Sequence, residues 1–356
     1  MASMLRFRDR HGPMHPQTRV ATGPQVALSV WAAASIEGPS RMATVLVTGA
    51  TGFVGRHLIP VLLAADHRVV ALVRTATDGE LVVSRLAPGR RAAVETRIGD
   101  VTRPETLGPA LAGVDAVVHL VAIPRDFHGG ADLRLINTEG TRAVVAAMEA
   151  ASVRRLIHMG AMGVEDVPDL HYASSKAKAE AIVRASSLDW TILKPSLQFG
   201  EGDGFFNIIA GLVRLSPGVV PVPGDGTARF QPIHVDDVAA VTVRCLADGT
   251  TVGQTYDLGG PRYWTYREIT REVLTALGKR RLIVPMPVVL IRLVAGAAEL
   301  VHVPFPVATD QLRQLRLDNI GPLDVIPTSF GFEPRPMEGA LGYLRTKPRD
   351  QAPPAA

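Results

Sequence analysis

The chain has 356 residues, 47% hydrophobic and 20% charged, the proportions of an ordinary globular protein of one large or two closely joined domains. Its net charge of +4 comes from the ends: residues 1–41 carry five Arg against Asp9 and Glu37, and the tail from Arg345 is also basic. The body is left near −1 and offers no nucleic-acid surface, while the single cysteine, Cys245, excludes internal disulfides and cysteine metal sites and suits a reducing cytoplasm.

Residues 1–41 combine Arg, Pro, Gly and Ser with a short apolar patch, Val26 to Ile36. A secretory signal does not fit, because Gly-Pro and polar residues part the basic section from the apolar one. An Arg-rich, acid-poor organellar transit peptide is an alternative, although the stretch lacks a clean amphipathic helix. The remaining reading is a disordered extension, or a start assigned too early with Met42 the true start. Residues 347–356 are read as a disordered tail.

Residues 44–57, Thr-Val-Leu-Val-Thr-Gly-Ala-Thr-Gly-Phe-Val-Gly-Arg-His, predict a buried strand, a tight turn and a helix start. Gly49 can take the positive φ of the turn, Gly52 lets backbone approach a diphosphate, and Gly55 lets the helix pack closely on the strand. The uncapped N–H groups of the helix then face an anion.

Strands and helices alternate from there, which predicts a parallel sheet. Strands are expected at Arg68 to Val73, Val94 to Ile98, Asp115 to Val121, Arg155 to Met159 and Trp190 to Leu193. Thr102 with Glu105 forms a capping box before a helix ending near Gly113, and further helices fall at Ile136 to Ala151 and at 173–186. This is a doubly wound α/β arrangement, with its ligand at the carboxyl ends of the strands. Beyond Gly200 the pattern loosens into a smaller mixed lid, covering 201–232 and 259–346, with a return to the sheet near 233–258. That part holds a helix at 205–215, a short strand Ile233 to Val235, a helix capped by Asp236 and Asp237, a strand Thr255 to Leu258 and a capping box Thr265/Glu268. The apolar run Val288 to Val303 is too short for a membrane span and reads as a helix packed in the lid or at a subunit interface, the alternative being a membrane-surface helix.

Two features carry chemistry. Arg74 follows the second strand where an NAD-selective site places an acid on the ribose 2′-OH; an Arg there pairs with a 2′-phosphate, and Arg56 is close enough to help. Tyr172 and Lys176 lie one helical turn apart, so both can face one cleft, where the ammonium favours the phenolate and lowers the tyrosine pKa.

Thr48-Gly49-Ala50-Thr51-Gly52-Phe53-Val54-Gly55 resembles the cofactor loop of extended and atypical short-chain dehydrogenase/reductases, whose fold is a Rossmann-type doubly wound sheet. Gly99-Asp100-Val101 resembles that family's adenine contact, His119-Leu120-Val121-Ala122 its fourth-strand segment, and Asn137 with Gly140-Thr141 its central helix motif. Tyr172 and Lys176 match its catalytic pair, and Lys194-Pro195-Ser196 with Phe199-Gly200 its segment after the sixth strand. Arg229-Phe230-Gln231-Pro232-Ile233-His234-Val235-Asp236-Asp237-Val238 is similar to a later signature of the branch that includes the 39 kDa subunit of respiratory complex I. The resemblance covers residues 43–345, with the cofactor domain at 43–200. It implies a cofactor site formed by Gly49, Thr51, Gly52, Phe53, Val54, Gly55, Arg74, Asp100, Val101, Val121, Ala122, Asn137, Tyr172, Lys176 and Pro195. NADP(H) is the preferred cofactor and NAD(H) the alternative; no metal site is expected.

One position departs from that family: His158-Met159-Gly160-Ala161-Met162 has no serine where the family holds a substrate oxygen. Ser174 and Ser175 lie inside the Tyr-Lys helix and read as packing or surface residues. Two classes of function follow. One is an oxidoreductase, or related epimerase or dehydratase, of an unknown small molecule, with Tyr172 as acid/base and Lys176 as its tuner and ribose anchor. The other is a cofactor-stabilised structural subunit of a respiratory assembly, or a nicotinamide sensor. Association at the inner face of a membrane and a homodimer are compatible with either.

Overall fold

The computed structural model describes residues 42–126, 128–287, 289–290 and 318–346. The expected readings of 1–41, of the tail from 347 and of the run 288–303 apart from Val289 and Leu290 lie outside those residues.

Seven strands form one parallel sheet: β1 (Thr44–Thr48), β2 (Arg68–Val73), β3 (Val94–Ile98), β4 (Ala116–His119), β5 (Arg155–Met159), β6 (Asp189–Pro195) and β7 (Gln254–Leu258). Their spatial order is β7-β6-β5-β4-β1-β2-β3. The chain therefore runs outward from β1 to β3, then returns to the other side of β1 and continues outward through β4 to β7. The reversal falls between β1 and β4, where Val45 pairs with Ala116 and Thr48 with His119. A crevice at the carboxyl ends of such a pair is the place where this topology takes a ligand.

Alternate residues of each strand enter opposite cores. Val45, Val47, Val69, Ala71 and Ile157 pack against α1 (Phe53–Ala64), α2 (Ala76–Ser84) and α7 (Val235–Ala247). Cys245 on α7 is a fully buried member of that core, as its small apolar character predicts. Leu46, Val70, Val117, Leu156 and Ile192 pack against α3 (Leu107–Ala110), α4 (Gly140–Ala150) and α5 (His171–Ala185). Burial of the inner strands on both faces explains their unbroken Val/Leu/Ile sequences.

A third core joins α6 (Phe205–Leu215) and α8 (Tyr266–Ala276) to the paired strands Val219–Pro223 and Leu282–Met286 and to Met337, Leu341 and Leu344. The chain between 318 and 346 stitches these parts together. Ile326 and Phe330, on α9 (Val325–Phe330), enter the first core, while Asn319 ties Ser196 (2.9 Å), Gln231 (3.1 Å) and Met162 (2.6 Å) to one another. Arg335 bonds Asp236 at 3.0 Å and lies 3.2 Å from Asp237.

Two caps differ from expectation. The Thr102/Glu105 box is absent, because Asp100 Oδ1 accepts from both the Thr102 N–H and its hydroxyl at 2.8 Å, and Pro104 opens a 3₁₀ turn ahead of α3. At α7 the cap is His234, whose Nδ1 accepts from the Asp236 N–H at 3.1 Å, with Asp236 and Asp237 inside the first turn. The Thr265/Glu268 box is formed in full at α8.

Candidate active site and nicotinamide cofactor cradle

The glycine loop sits at the topological reversal. Gly49 has φ +70°, and a Cβ there would lie 3.2 Å from the backbone of Leu120 and Val121, so the loop is pressed against the end of β4. A Cβ on Gly55 would lie 2.4 Å from the Gly49 carbonyl oxygen and 2.8 Å from Ala50 Cα, which only glycine avoids. Helix α1 begins at exposed Gly52 with no side-chain cap and no acid in its first turn. Its N–H groups are thus left for an anion, and the residues present fit a dinucleotide diphosphate. Thr51, Phe53 and Val54 are half-buried around this opening.

A chain of hydrogen bonds runs from this loop to the helix bearing Tyr172. Thr48 Oγ1 meets His119 Nδ1 at 2.8 Å and accepts from the Leu120 N–H, while His119 Nε2 meets Thr141 Oγ1 at 3.1 Å. The Thr141 hydroxyl donates to the Asn137 carbonyl at 2.7 Å, so His119 carries its proton on Nε2 and accepts on Nδ1. Burial lowers the His119 pKa to about 3 and the nearby Lys176 adds to the effect, leaving the ring neutral. Asn137 Oδ1 accepts from the Ile123 N–H at 2.8 Å, and its amide donates to the Ile123 carbonyl (3.1 Å) and to Ser175 Oγ (3.0 Å). Ser175 in turn donates to the Tyr172 carbonyl at 2.8 Å. The sequence shows Thr48 and Thr141 only as members of motifs and Ser175 only as a packing or surface residue, whereas all three carry this network. Val121 is half-buried and Ala122 exposed on the segment that Asn137 fixes, and Pro195 is buried at the end of β6.

On the far side of the loop, Arg74 is exposed directly after β2. The Gly99 N–H bonds the Val73 carbonyl at 2.9 Å, which places Asp100 at the end of the neighbouring strand. Asp100 turns one oxygen onto Thr102, and Val101 is buried beneath Gly140. Arg56 does not join Arg74: its guanidinium donates to the Gly202 carbonyl at 2.5 Å and lies 5.5 Å from the Phe53 ring, because α1 directs it toward the lid. The cation beside the loop on the Arg74 side is Arg85, which donates to the Thr51 carbonyl at 3.2 Å.

Tyr172 is half-buried at the first turn of α5, and Lys176 is 3% exposed one turn on. The Lys176 ammonium donates to the Met159 carbonyl at 2.5 Å. Burial lowers its pKa to about 8. The phenol moves opposite to expectation: burial, with a contribution from the Glu180 carboxylate, pushes Tyr172 up to about 12. Ser174 and Ser175 are buried within the helix packing, Ser174 donating to Asp166 at 2.5 Å.

The sequence profile of the NAD(P)H-binding family matches residues 49–249. The chain belongs to that family. It is 26% identical to the mitochondrial NADH dehydrogenase (ubiquinone) 1 alpha subcomplex subunit 9 of Arabidopsis thaliana, over 78% of this chain and 68% of that one. It is 30% identical to a ceramide reductase of Caulobacter vibrioides, over 68% of this chain and 73% of that one. A dTDP-glucose 4,6-dehydratase from Streptomyces venezuelae, solved with NAD, superposes with a TM-score of 0.65 at 23% identity, covering 85% of this chain and 96% of that one. These findings establish a nicotinamide-dinucleotide fold of the short-chain dehydrogenase/reductase type.

Outside this region, a groove of about 620 Å³ between the outer faces of α4 and α5 lies away from the glycine loop. Asp126, His128 and Asp132 cluster within 4.8 Å of one another, an arrangement their own hydrogen bonds explain, His128 Nδ1 meeting Asp132 at 2.6 Å. Among the described residues no helix is long and apolar enough to cross a membrane.

Proposed function

We propose that this protein is an NADPH-dependent reductase of a small carbonyl compound, with Tyr172 as proton donor and Lys176 as ribose anchor. The observation that carries this reading is the placement of Tyr172 and Lys176 on α5, joined through Ser175, Asn137, Thr141 and His119 to the glycine loop. The cofactor would supply the hydride. Gly52 and the first turn of α1 would hold its diphosphate, and Arg74 its 2′-phosphate with Arg85 nearby.

The protonation state of Tyr172 fits a proton donor. A phenol whose pKa stands near 12 stays protonated at neutral pH. Hydride addition to a carbonyl leaves an alkoxide, a stronger base than the phenolate, so the proton moves from Tyr172 Oη to that oxygen. Abstraction from an alcohol would need the phenolate, which is scarce at pH 7.

A second reading, a cofactor-stabilised subunit of a larger assembly, is favoured by Gly160, which supplies no hydroxyl to a substrate oxygen. It is also in keeping with the relative from the NADH dehydrogenase subcomplex. Losing one positioned donor commonly lowers turnover by about 100- to 1000-fold without abolishing it. The test is a screen of carbonyl compounds with NADPH, comparing wild type with Tyr172→Phe. Slow turnover that Tyr172→Phe removes, at NADPH affinity within about twofold of wild type, supports the reductase. Tight NADPH binding with no turnover on any carbonyl supports the subunit, and full activity in Tyr172→Phe overturns the assignment of the site.

A further inference from the structure

Helix α5 carries Tyr172, Lys176 and Glu180 at four-residue intervals, so the three share one stripe. Glu180 is 3% exposed, and the lean of helical side chains toward the helix N-terminus carries its carboxylate up to Gly160, the residue after β5. A Cβ on Gly160 would stand 2.6 Å from Glu180 Oε1 and 3.1 Å from Lys194 Cγ. The volume a side chain at 160 would need is therefore filled by the carboxylate. Oε2 accepts from Arg184 at 3.1 Å and lies 3.8 Å from Lys194 Nζ, whereas Oε1 has no hydrogen-bond partner among the described residues. Lys176 donates to the carbonyl of Met159, the residue before Gly160, so ammonium and carboxylate converge on the same short stretch of backbone.

A buried charge left without a full set of hydrogen bonds is costly. Its counterpart here is a second buried charge, Lys176, whose hydrogen bond to the Met159 carbonyl leaves the ammonium without another counter-charge among the described residues. The titratable groups acting with Lys176 are His119 from β4, His158 from β5 and Glu180 from its own helix, with Lys194 from β6 and Arg184 from α5 paired to Glu180. Two of these are cations, and His119 and His158, stacked 5.5 Å apart, are held neutral by burial with Lys176 repelling their protons further. Glu180 alone among these favours the ammonium.

We propose that Glu180 is the counter-charge of the Tyr172–Lys176 pair, a positioning residue that keeps Lys176 an ammonium, and that position 160 is glycine because this carboxylate occupies its side-chain volume. The consequence for cofactor binding rests on the reading of Lys176 as ribose anchor. The consequence for Lys176 itself does not.

The chain contains five lysines, which makes Lys176 accessible to direct titration. In protein labelled with ¹³C at lysine Cε, the Lys176 signal is the one missing from Lys176→Arg, and it is expected to titrate in wild type near 8. Removing the neighbouring negative charge takes away stabilisation of the protonated form, so in Glu180→Gln the midpoint falls by about one unit or more, while Glu180→Asp stays within about half a unit of wild type. Gly160→Ala, which drives the carboxylate off its place without altering its charge, lowers the midpoint as well. An unchanged midpoint in Glu180→Gln overturns the proposal; should that variant fail to fold, an unchanged midpoint in Gly160→Ala does so. NADPH affinity measured against pH separates the two readings. A shifted Lys176 midpoint with an affinity that ignores both pH and Lys176→Ala upholds the counter-charge and removes the ribose role.

Discussion

At the residue scale, cofactor choice turns on Arg74. A charge-assisted pair with a 2′-phosphate contributes roughly 1.5 to 3 kcal/mol, enough for a tenfold or greater preference. Titrating wild type and Arg74→Ala with NADPH and NADH is expected to show NADPH binding at least tenfold tighter in wild type and the two cofactors nearly equal in the variant. Equal affinities in wild type would remove the basis for assigning NADP(H). The glycine loop, Arg74 and the Tyr172–Lys176 spacing were legible in the sequence because local backbone demands and helical periodicity set them. Arg56 and Arg85 were not: Arg56 directly follows Gly55 yet α1 turns it toward the lid, while Arg85, 34 residues beyond Thr51, reaches the loop only through the fold at the end of α2. Glu180 was also hidden. Its meaning comes from Gly160, twenty residues earlier in the chain, and no local pattern joins them.

At the element scale, strands of the doubly wound half could be read almost to the residue: Arg68–Val73, Val94–Ile98 and Arg155–Met159 stand where expected, whereas α2 was not foreseen and α3 is shorter than expected. Caps were less legible, because a Thr-x-x-Glu pattern forms a box only if its hydroxyl is not claimed first. Asp100 claims Thr102, and nothing claims Thr265. In the box at α8 the Glu268 carboxylate accepts from the Thr265 N–H at 2.7 Å and from its hydroxyl at 2.8 Å, while the Thr265 oxygen accepts from the Glu268 N–H. Thr265→Ala is expected to cost about 1 kcal/mol, seen as a melting temperature a few degrees lower, and Thr102→Ala to leave α3 uncapped as it already is. Equal losses from the two changes would mean that the box at α8 contributes nothing of its own.

At the scale of the whole molecule, buried titratable groups give stability a pH dependence whose sign can be worked out. His119 and His234 are lowered by burial to about 3 and about 4, and His158 is also well below its ordinary 6.5. Below pH 6.5 the unfolded chain binds protons that these folded rings refuse, so stability falls as pH falls through that window, by roughly 2 kcal/mol at pH 5 for each of His119 and His234, with His158 acting in the same direction. Asp203 and Asp237 act the other way: burial raises both to about 6, so the fold binds protons first and gains stability as pH drops through 6. That gain is roughly 1 kcal/mol each at pH 5, and the rings outweigh the carboxyls. Thermal melts are expected to show a lower midpoint at pH 5 than at pH 7; a higher one would show that the rings are charged in the fold.

The late segment 318–346 has a further consequence, for the history of each molecule on the ribosome. The last strand of the central sheet ends at Leu258, yet Ile326 and Phe330 close its first core and Met337, Leu341 and Leu344 complete the third. Synthesis at about 5 to 20 residues per second leaves several seconds in which a finished sheet waits with apolar surface bare. The nascent chain is then a client for holding chaperones, and native packing arrives only near release. Chains halted after residue 317 should be digested by protease under conditions that spare the full chain; equal resistance would show that the earlier strands and helices had already closed without their last partner.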